Sequence, residues 1–161
     1  MIRYLLLLAL TSISLFASSG SHFKETRYLY ALNKSIELDG YITFGDYNIM
    51  IEYVKPTYKV LTYFEEKLTI QDDNGFQTIE AQKMPSINYF FMIVKAVHEN
   101  NTTLMDTFFT SATANGLTKL TPMGVAAEVL EKASIKKDAK GLRFLEVSLK
   151  NGDRISIEIL D

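Results

Sequence analysis

The side chains that could carry out catalysis or bind a metal are few and scattered in this sequence. The chain has two histidines, His22 and His98, and no cysteine. Neither histidine belongs to a zinc-type spacing such as HExxH, and the sequence contains no GxSxG nucleophile elbow or phosphate-binding glycine loop. We therefore predict no metal site, no cofactor and no enzymatic activity.

Two pairs of adjacent carboxylates do not change this expectation. Glu65-Glu66 and Asp72-Asp73 are neighbours in the sequence. Neighbouring side chains of a strand point to opposite faces of a sheet, so neither pair converges on one reacting group. We interpret them as solvated strand edges and turns.

Apolar side chains offer a different chemistry, the burial of a lipid-like ligand. Hydrophobic residues make up 47% of the chain and are concentrated in one helical stretch and several strands. An apolar pocket suits an acyl chain, whereas the same faces packed solid would form an ordinary core, and the pattern leaves both possibilities open. The predicted cavity-lining residues are Ile49, Ile51, Tyr53, Ile87, Phe90, Phe91, Val94, Val97, Leu145, Val147 and Ile157.

One long helix is predicted over Pro85–His98, with the sequence PSINYFFMIVKAVH. Its apolar residues at 87, 90, 91, 94 and 97 recur at helical spacing and form one stripe. Proline is well accommodated in a first helical turn, and the asparagines at 100 and 101 end the helix. We expect the stripe to face a sheet, either as part of the core or as a lid over a cavity. The side chains expected to be more exposed are Tyr89, Lys95 and Glu99.

Most of the remaining chain alternates between apolar and polar residues, as half-buried strands do. Gly40 marks a bulge or a close backbone approach, and Asn-Gly at 74–75, 115–116 and 151–152 predicts hairpin turns. Shorter helices are predicted after the capping-box pattern Thr103-x-x-Asp106 and over residues 123–131. The sequence thus predicts a mainly β (α+β) fold with one helix against a curved antiparallel sheet. The predicted strands are residues 23–31, 36–44, 47–55, 59–65, 67–71, 76–82, 108–114, 117–121, 133–137, 143–150 and 153–160.

The first nineteen residues have the pattern of a secretory signal peptide. Arg3 is followed by a short apolar run over residues 4–16 and by the small residues Ala17, Ser18 and Ser19. The run is shorter than the about 20 residues of a membrane span, although an uncleaved anchor is the alternative. We expect cleavage near Gly20. Because no cysteine is present to carry a lipid anchor, we expect the mature chain to be a soluble periplasmic protein. Residues 20–161 are predicted to form a single domain.

The charge of the chain argues against a nucleic-acid partner. The formal net charge is −2, and it becomes −3 once Arg3 is removed with the leader. Nucleic-acid binding depends on an excess of Lys and Arg near the phosphates, which a slightly acidic chain does not supply. The expected partners are therefore not nucleic acids.

An ordered set of short motifs resembles the LolA-like family of periplasmic lipoprotein carriers, in particular a short, divergent branch of it. The similarity extends over residues 23–160, and the last hairpin matches best. The matching segments are Phe23-x-Glu25-x-Arg27, residues 40–44, residues 47–56, residues 60–75, the helix at 87–98, Leu120-Thr121-Pro122, Gly141-Leu142 and residues 152–159.

This resemblance implies a fold and a function. The family fold is an unclosed antiparallel β half-barrel with helices as a lid over an apolar concave face. The implied function is to take an acylated lipoprotein or another lipid from an inner-membrane exporter to an outer-membrane acceptor. Without a lipid anchor, the chain resembles the soluble carrier, and we expect a monomer.

One departure from the family pattern concerns the contact that holds the lid. The family usually has a basic residue followed by proline before the strand that ends in proline, and that basic residue helps to latch the lid. Here the corresponding residues are Gly45-Asp46. Two alternatives to the carrier remain: a structural or adaptor domain of the same fold with a filled core, and an enzyme acting on acylated substrates.

Overall fold

Eleven strands form one sheet in residues 20–161, the part of the chain that the computed structural model describes. The predicted signal peptide, residues 1–19, lies outside the described residues. Within the described part, no helix is long and apolar enough to cross a membrane. In chain order the strands are β1 (Ser21–Leu29), β2 (Lys34–Phe44), β3 (Asn48–Lys55), β4 (Lys59–Phe64), β5 (Lys67–Asp72), β6 (Gly75–Glu80), β7 (Phe109–Ala114), β8 (Leu117–Pro122), β9 (Leu130–Asp138), β10 (Gly141–Leu149) and β11 (Arg154–Ile159).

The sheet is open, because its two edge strands do not pair with each other. Its order is β6-β5-β4-β3-β2-β1-β11-β10-β9-β8-β7, and the pairing of β1 with β11 joins the first six strands to the last five. Every pair of neighbouring strands is antiparallel. The predicted mainly β class and the unclosed antiparallel sheet are therefore confirmed.

The long helix α1 (Pro85–His98) has the bounds that the sequence pattern predicts. Proline occupies the first turn, where its missing N–H is not needed. Asn100 ends the helix in a left-handed conformation, with φ of 51°. The N–H of Asn101 donates to the carbonyl of Ala96 at 2.8 Å and that of Asn100 to the carbonyl of Val97 at 3.3 Å, which is the Schellman arrangement.

The helix α2 (Thr102–Phe108) confirms the helical turn predicted after α1, but its N-cap lies two residues before the Thr103 of the capping-box pattern. Its N-cap is Asn101, whose side-chain oxygen accepts from the backbone N–H of Leu104 at 3.0 Å. Asparagine is among the strongest N-cap residues because its short side chain reaches the N–H groups of the first turn. Asn101 therefore ends α1 and also begins α2.

The helix α3 (Ala126–Val129) is much shorter than the predicted helix over residues 123–131. Leu130 adopts an extended conformation, with φ of −98° and ψ of 140°, and pairs with Leu149 at the start of β9. A fully buried leucine in the sheet replaces the last turn of the predicted helix. Sheet pairing thus overrides a local helical preference.

The helix α1 is buried on more sides than one stripe would require. Met92, Ile93 and Ala96 are buried together with the predicted stripe residues Phe90, Phe91, Val94 and Val97. The expected exposure of Tyr89 was wrong, because its ring packs against Phe108 of α2 with centroids 6.0 Å apart. Contacts with both shorter helices cover the side of α1 that the pattern assigned to solvent. Lys95 and Glu99 remain about half exposed, as predicted.

The hydrophobic core lies on the side of the sheet that carries the helices. In the terminal hairpin, Leu145 pairs with Ile157 and Val147 with Ile155, and alternation sends Leu145, Val147 and Ile157 into the core. The turn contains Gly152 at φ of 91°, where an added Cβ would lie 2.7 Å from the ring of Tyr30. The β10–β11 hairpin thus gives the helices a rigid, apolar base.

Candidate functional site

Two cavities lie beside α1, one at its N-terminal end and one along the side of the helix from Asn88 to Glu99. The first, called here the α1 cavity, has a volume of ≈ 190 Å³ and lies between the N-terminal half of α1 and strands β1, β3, β4 and β11. The second, called here the turn groove, has a volume of ≈ 490 Å³ and lies between the β2–β3 turn, the β4–β5 turn and α1 with α2. More of the predicted site residues line the α1 cavity than the turn groove.

The predicted site residues divide into three sets. Five of them line the α1 cavity: Ile51, Tyr53, Ile87, Phe90 and Phe91. Ile49 lines the turn groove. The other five line neither cavity and are buried in the hydrophobic core: Val94, Val97, Leu145, Val147 and Ile157.

Aromatic rings make part of the wall of the α1 cavity rigid. The ring of Phe91 is fully buried and stacks on Tyr63 of β4, with centroids 5.0 Å apart and an angle of 6° between the planes. Phe90 meets Phe91 edge to face at 5.5 Å. Such pairs are worth about 0.5–1.5 kcal/mol beyond the area they bury. The N-terminal half of α1 is therefore held to β4 by ring contacts beside an unfilled space.

A polar cluster of Glu25, Arg27 and Tyr53 forms the other part of the wall. The Arg27 Nε donates to one oxygen of Glu25, and the Tyr53 hydroxyl donates to the other at 2.7 Å. The Arg27 Nη2 donates to the Tyr53 hydroxyl at 3.0 Å. Each member thus bonds to the other two, and Glu25 is only 1% exposed.

The local sequence explains why these groups meet. Alternation along β1 sends Phe23, Glu25 and Arg27 to the same side of the sheet. Gly40 of β2 pairs with Phe23 on one side and with Tyr53 of β3 on the other. Because Gly40 has no side chain, the two rings meet across it, edge to face, with centroids 5.7 Å apart.

The position of Gly40 admits no larger residue. A Cβ there would lie 2.2 Å from the carbonyl oxygen of Glu52 and 3.0 Å from the ring of Phe23. The register also shifts between Asp39 and Gly40, as a bulge does. The sequence prediction of a bulge or close approach at this glycine is confirmed.

The environment of the cluster shifts two pKa values upward. Burial raises the pKa of Tyr53 far above its usual range, and the nearby Glu25 carboxylate raises it further. Burial lowers the pKa of Arg27, but the Glu25 carboxylate and the Tyr53 hydroxyl outweigh this effect and raise the pKa overall. Tyr53 is therefore a hydrogen-bond donor and Arg27 a cation at neutral pH.

Sequence reasoning did not select Glu25 and Arg27 as site residues. A charged pair on a strand is usually a solvated surface feature, which is why the pattern gave no reason to bury it. The available signal was the i, i+2 spacing of opposite charges on the same side as Phe23. Gly40 was a second signal, because a residue without a side chain opposite Phe23 leaves room for another ring.

The turn groove has a mixed lining of apolar and polar side chains and lies at the site of the departure from the LolA-like pattern. Gly45 and Asp46 both line it, and the Gly45 N–H closes the turn by donating to the carbonyl of Asn48 at 2.9 Å. The turn contacts α1 through Phe44, whose ring stacks on His98 with centroids 3.9 Å apart. An aromatic contact thus joins this turn to α1, with no basic side chain in the turn itself.

The two histidines lie in separate places. His22 Nε2 is 2.7 Å from the Asp39 carboxylate, whereas His98 stacks on Phe44. Among residues 20–161, no three His, Cys, Asp or Glu side chains are grouped so that they could hold a metal ion.

No protein-family model matches this sequence, and no curated protein matches it either. The similarity to the LolA-like carriers therefore depends on the ordered motifs alone, and membership of that family stays a prediction.

Proposed function

We propose that the protein is a carrier that binds acyl chains in the α1 cavity, with α1 acting as a lid over an apolar face of the sheet. The observation that carries this proposal is the unfilled space of ≈ 190 Å³ beneath the N-terminal half of α1. Its apolar lining comes from both the helix and the sheet. The side chains concerned are Ile51, Leu61, Ile87, Phe90, Phe91, Leu149 and Ile155.

The size of the cavity supports a lid that moves. Typical small-molecule pockets measure about 300–1,000 Å³, so a whole acyl chain needs more space than the closed cavity offers. The helix is attached at both ends by short segments, the turn Ala81–Lys83 and α2. In the proposed cycle, α1 moves away from the sheet when an acyl chain enters and packs back when the chain leaves.

Burial of methylene groups supplies enough free energy for reversible binding. Each buried CH₂ contributes about 0.8 kcal/mol. An acyl segment of about six methylenes therefore gains roughly 5 kcal/mol, part of which offsets the displacement of the helix. A carrier that must also release its cargo needs an affinity of this moderate kind.

The proposal includes the expected transport pathway. By resemblance, the cargo is an acylated lipoprotein or another lipid that travels from an inner-membrane exporter to an outer-membrane acceptor through the periplasm. The aromatic contact between Phe44 and His98 lies where the family has its latch, and we assign it the task of holding the closed lid. The proposal involves no catalytic step.

A second candidate function is a structural or adaptor domain with a filled core. The observation that favours it is the burial of Val94, Val97, Leu145, Val147 and Ile157 away from both cavities. In that case α1 is a fixed core element, and the α1 cavity is an incidental packing defect.

Binding of a fluorescent acyl probe to delipidated protein distinguishes the two candidates. The blocking variant is Ile87→Trp, because Ile87 lines the cavity and is only partly buried. The matched control is Val54→Trp, whose side chain lies on the opposite face of β3 from Tyr53 and is exposed.

The carrier predicts saturable binding that Ile87→Trp abolishes and Val54→Trp leaves unchanged. Absence of binding to the unmodified protein would contradict the carrier and favour the adaptor, whereas equal binding by both variants would exclude the α1 cavity as the binding site. Mass spectrometry of lipids that co-purify with the protein from the periplasm then identifies the natural cargo.

A further inference from the structure

The ion pair in the wall of the α1 cavity is not explained by packing. Glu25 is 1% exposed and is paired with Arg27. Removal of charges from water is costly, and apolar residues of similar volume are often at least as stabilising at such a site. A ligand with a polar end accounts for charged side chains beside an apolar space.

The guanidinium of Arg27 has hydrogen-bonding capacity that the described residues do not use. Arginine has five N–H donors, of which one bonds to Glu25 and one to the Tyr53 hydroxyl. The side chain lines the cavity and is 35% exposed. Both oxygens of Glu25 already accept a hydrogen bond. The cluster therefore offers a ligand donors and not acceptors.

The charges around the cavity balance each other. Glu25 and Asp153 are acidic, and Arg27 and Arg154 are basic. A carboxylate or phosphate in this space would add an uncompensated negative charge next to the buried Glu25. A carbonyl oxygen accepts a hydrogen bond without adding a charge.

We propose that Arg27 donates a hydrogen bond to the carbonyl of an ester- or amide-linked acyl chain, so that the protein prefers such uncharged acyl groups to free fatty acids. This inference rests on the proposed acyl-carrier function. The apolar side chains Ile87, Phe90 and Phe91 hold the hydrocarbon, and the polar cluster fixes the position of its carbonyl end. Hydrogen bonds from a charged donor are stronger than those between neutral groups.

The test compares two probes with the same fluorescent sixteen-carbon chain, one a methyl ester and the other a free acid. Both are titrated at neutral pH below their aggregation concentration into delipidated protein. We expect the ester to bind on the order of tenfold more tightly, because the free acid is a carboxylate at neutral pH and would add an uncompensated negative charge beside Glu25.

The matched variant combines Glu25→Leu, Arg27→Met and Tyr53→Phe, which replaces the whole polar cluster by apolar side chains and leaves no buried hydroxyl without a partner. Replacement of both partners avoids the unpaired buried charge that a single substitution would leave. We expect this variant to melt near the unmodified protein and to bind the ester on the order of tenfold more weakly, as the loss of one hydrogen bond to a charged donor implies. The infrared stretch of a ¹³C-labelled ester carbonyl should shift to lower frequency on binding to the unmodified protein only.

Four outcomes overturn the inference. Tighter binding of the free acid would identify an anion site, and unchanged ester affinity in the triple variant would place the carbonyl elsewhere. Failure of both probes to bind the unmodified protein would remove the acyl-carrier function and this inference together. Equal binding of both probes, blocked by Ile87→Trp, would keep the carrier and remove only the carbonyl site.

Discussion

The two halves of α1 cover different environments. The N-terminal half, with Ile87, Phe90 and Phe91, lies over the α1 cavity and faces the polar cluster. The C-terminal half is buried in the core through Val94 and Val97, which line neither cavity, whereas its Met92, Lys95 and His98 border the turn groove. One apolar stripe thus continues from an unfilled, partly polar space into close-packed core. In the proposed carrier the C-terminal half anchors the helix, and the N-terminal half moves from the sheet to admit the acyl chain.

The largest effect is expected from a charge at the boundary of the two halves. Phe91 is fully buried, so Phe91→Glu would place a carboxylate without a partner in an apolar site. We expect a loss of more than about 4 kcal/mol in the free energy of unfolding and loss of acyl-probe binding. Urea unfolding and probe titration measure both.

The companion variant Phe91→Leu keeps the site apolar and removes only the ring contacts with Tyr63 and Phe90. We expect a loss of about 1–2 kcal/mol and binding close to that of the unmodified protein. A Phe91→Leu protein that melts far below the unmodified one, when the latter binds no lipid, would show that this half of the helix is ordinary core.

The next largest effect tests the packed half. Leu145→Ala should lower the free energy of unfolding by about 2–5 kcal/mol, because the side chain is 1% exposed and its removal leaves a void. Acyl-probe affinity of the folded protein should not change, since Leu145 lines neither cavity. The control Leu160→Ala, at an exposed position, should change stability by less than about 0.5 kcal/mol. Tighter or weaker probe binding in Leu145→Ala would show that the packed core around the C-terminal half of α1 also contributes to ligand binding.

The sequence predicted the bounds of the helix and strands better than it predicted which of their residues line a cavity. Helical spacing set the bounds of α1, and alternation set both strands of the terminal hairpin to within about two residues. Periodicity states which side of an element is apolar, but it does not state how much volume the opposing side chains fill. Ile87 and Val94 therefore look equivalent in the sequence, although only Ile87 lines a cavity.

The wrong exposure predicted for Tyr89 and the omission of Glu25 from the predicted site have a common physical origin. Tyr89 is buried by α2, and Glu25 by its partners Arg27 and Tyr53. The contacts of Tyr89 with Phe108 and of Glu25 with Tyr53 join residues that are distant in sequence. Apart from the i, i+2 spacing of Glu25 and Arg27, local patterns carry no information about such contacts, so a charged or phenolic side chain is assigned to solvent by default.

A smaller effect is expected at the floor of the cavity half. Gly40→Ala would bring a Cβ to 2.2 Å from the Glu52 carbonyl oxygen, so β2 and β3 must separate locally. We expect a loss of about 1–3 kcal/mol, typical of overpacking, and weaker binding of the acyl probe because Tyr53 is displaced. Gly116→Ala is the control for a general glycine effect, since no other atom lies within 4 Å of its added Cβ, although its φ of 74° makes that substitution strained as well. Unchanged probe binding in Gly40→Ala would show that the polar cluster is not part of the ligand site.

The smallest effect concerns the hydroxyl of Tyr53 and depends on pH. Tyr53→Phe leaves Glu25 and Arg27 paired, so at neutral pH we expect a loss of only about 1 kcal/mol in the free energy of unfolding. The folded-state pKa of Tyr53 is raised, first by burial and then by Glu25. The hydroxyl therefore contributes fully below the unfolded-state pKa of about 10, and its contribution declines above that pH.

Above pH 10 the unfolded chain loses this proton while the folded protein keeps it, so stability falls as pH rises, by at most about 1.4 kcal/mol per pH unit for one group. The difference in unfolding free energy between the unmodified protein and Tyr53→Phe should therefore shrink and then reverse between about pH 10 and 12. Tyr63→Phe is the matched control, because Tyr63 is less buried and lies outside the cluster. A difference that stays constant across this range would mean that Tyr53 is as accessible to water as a surface tyrosine, and the cavity half would then lack the dry polar wall that distinguishes it from the packed half.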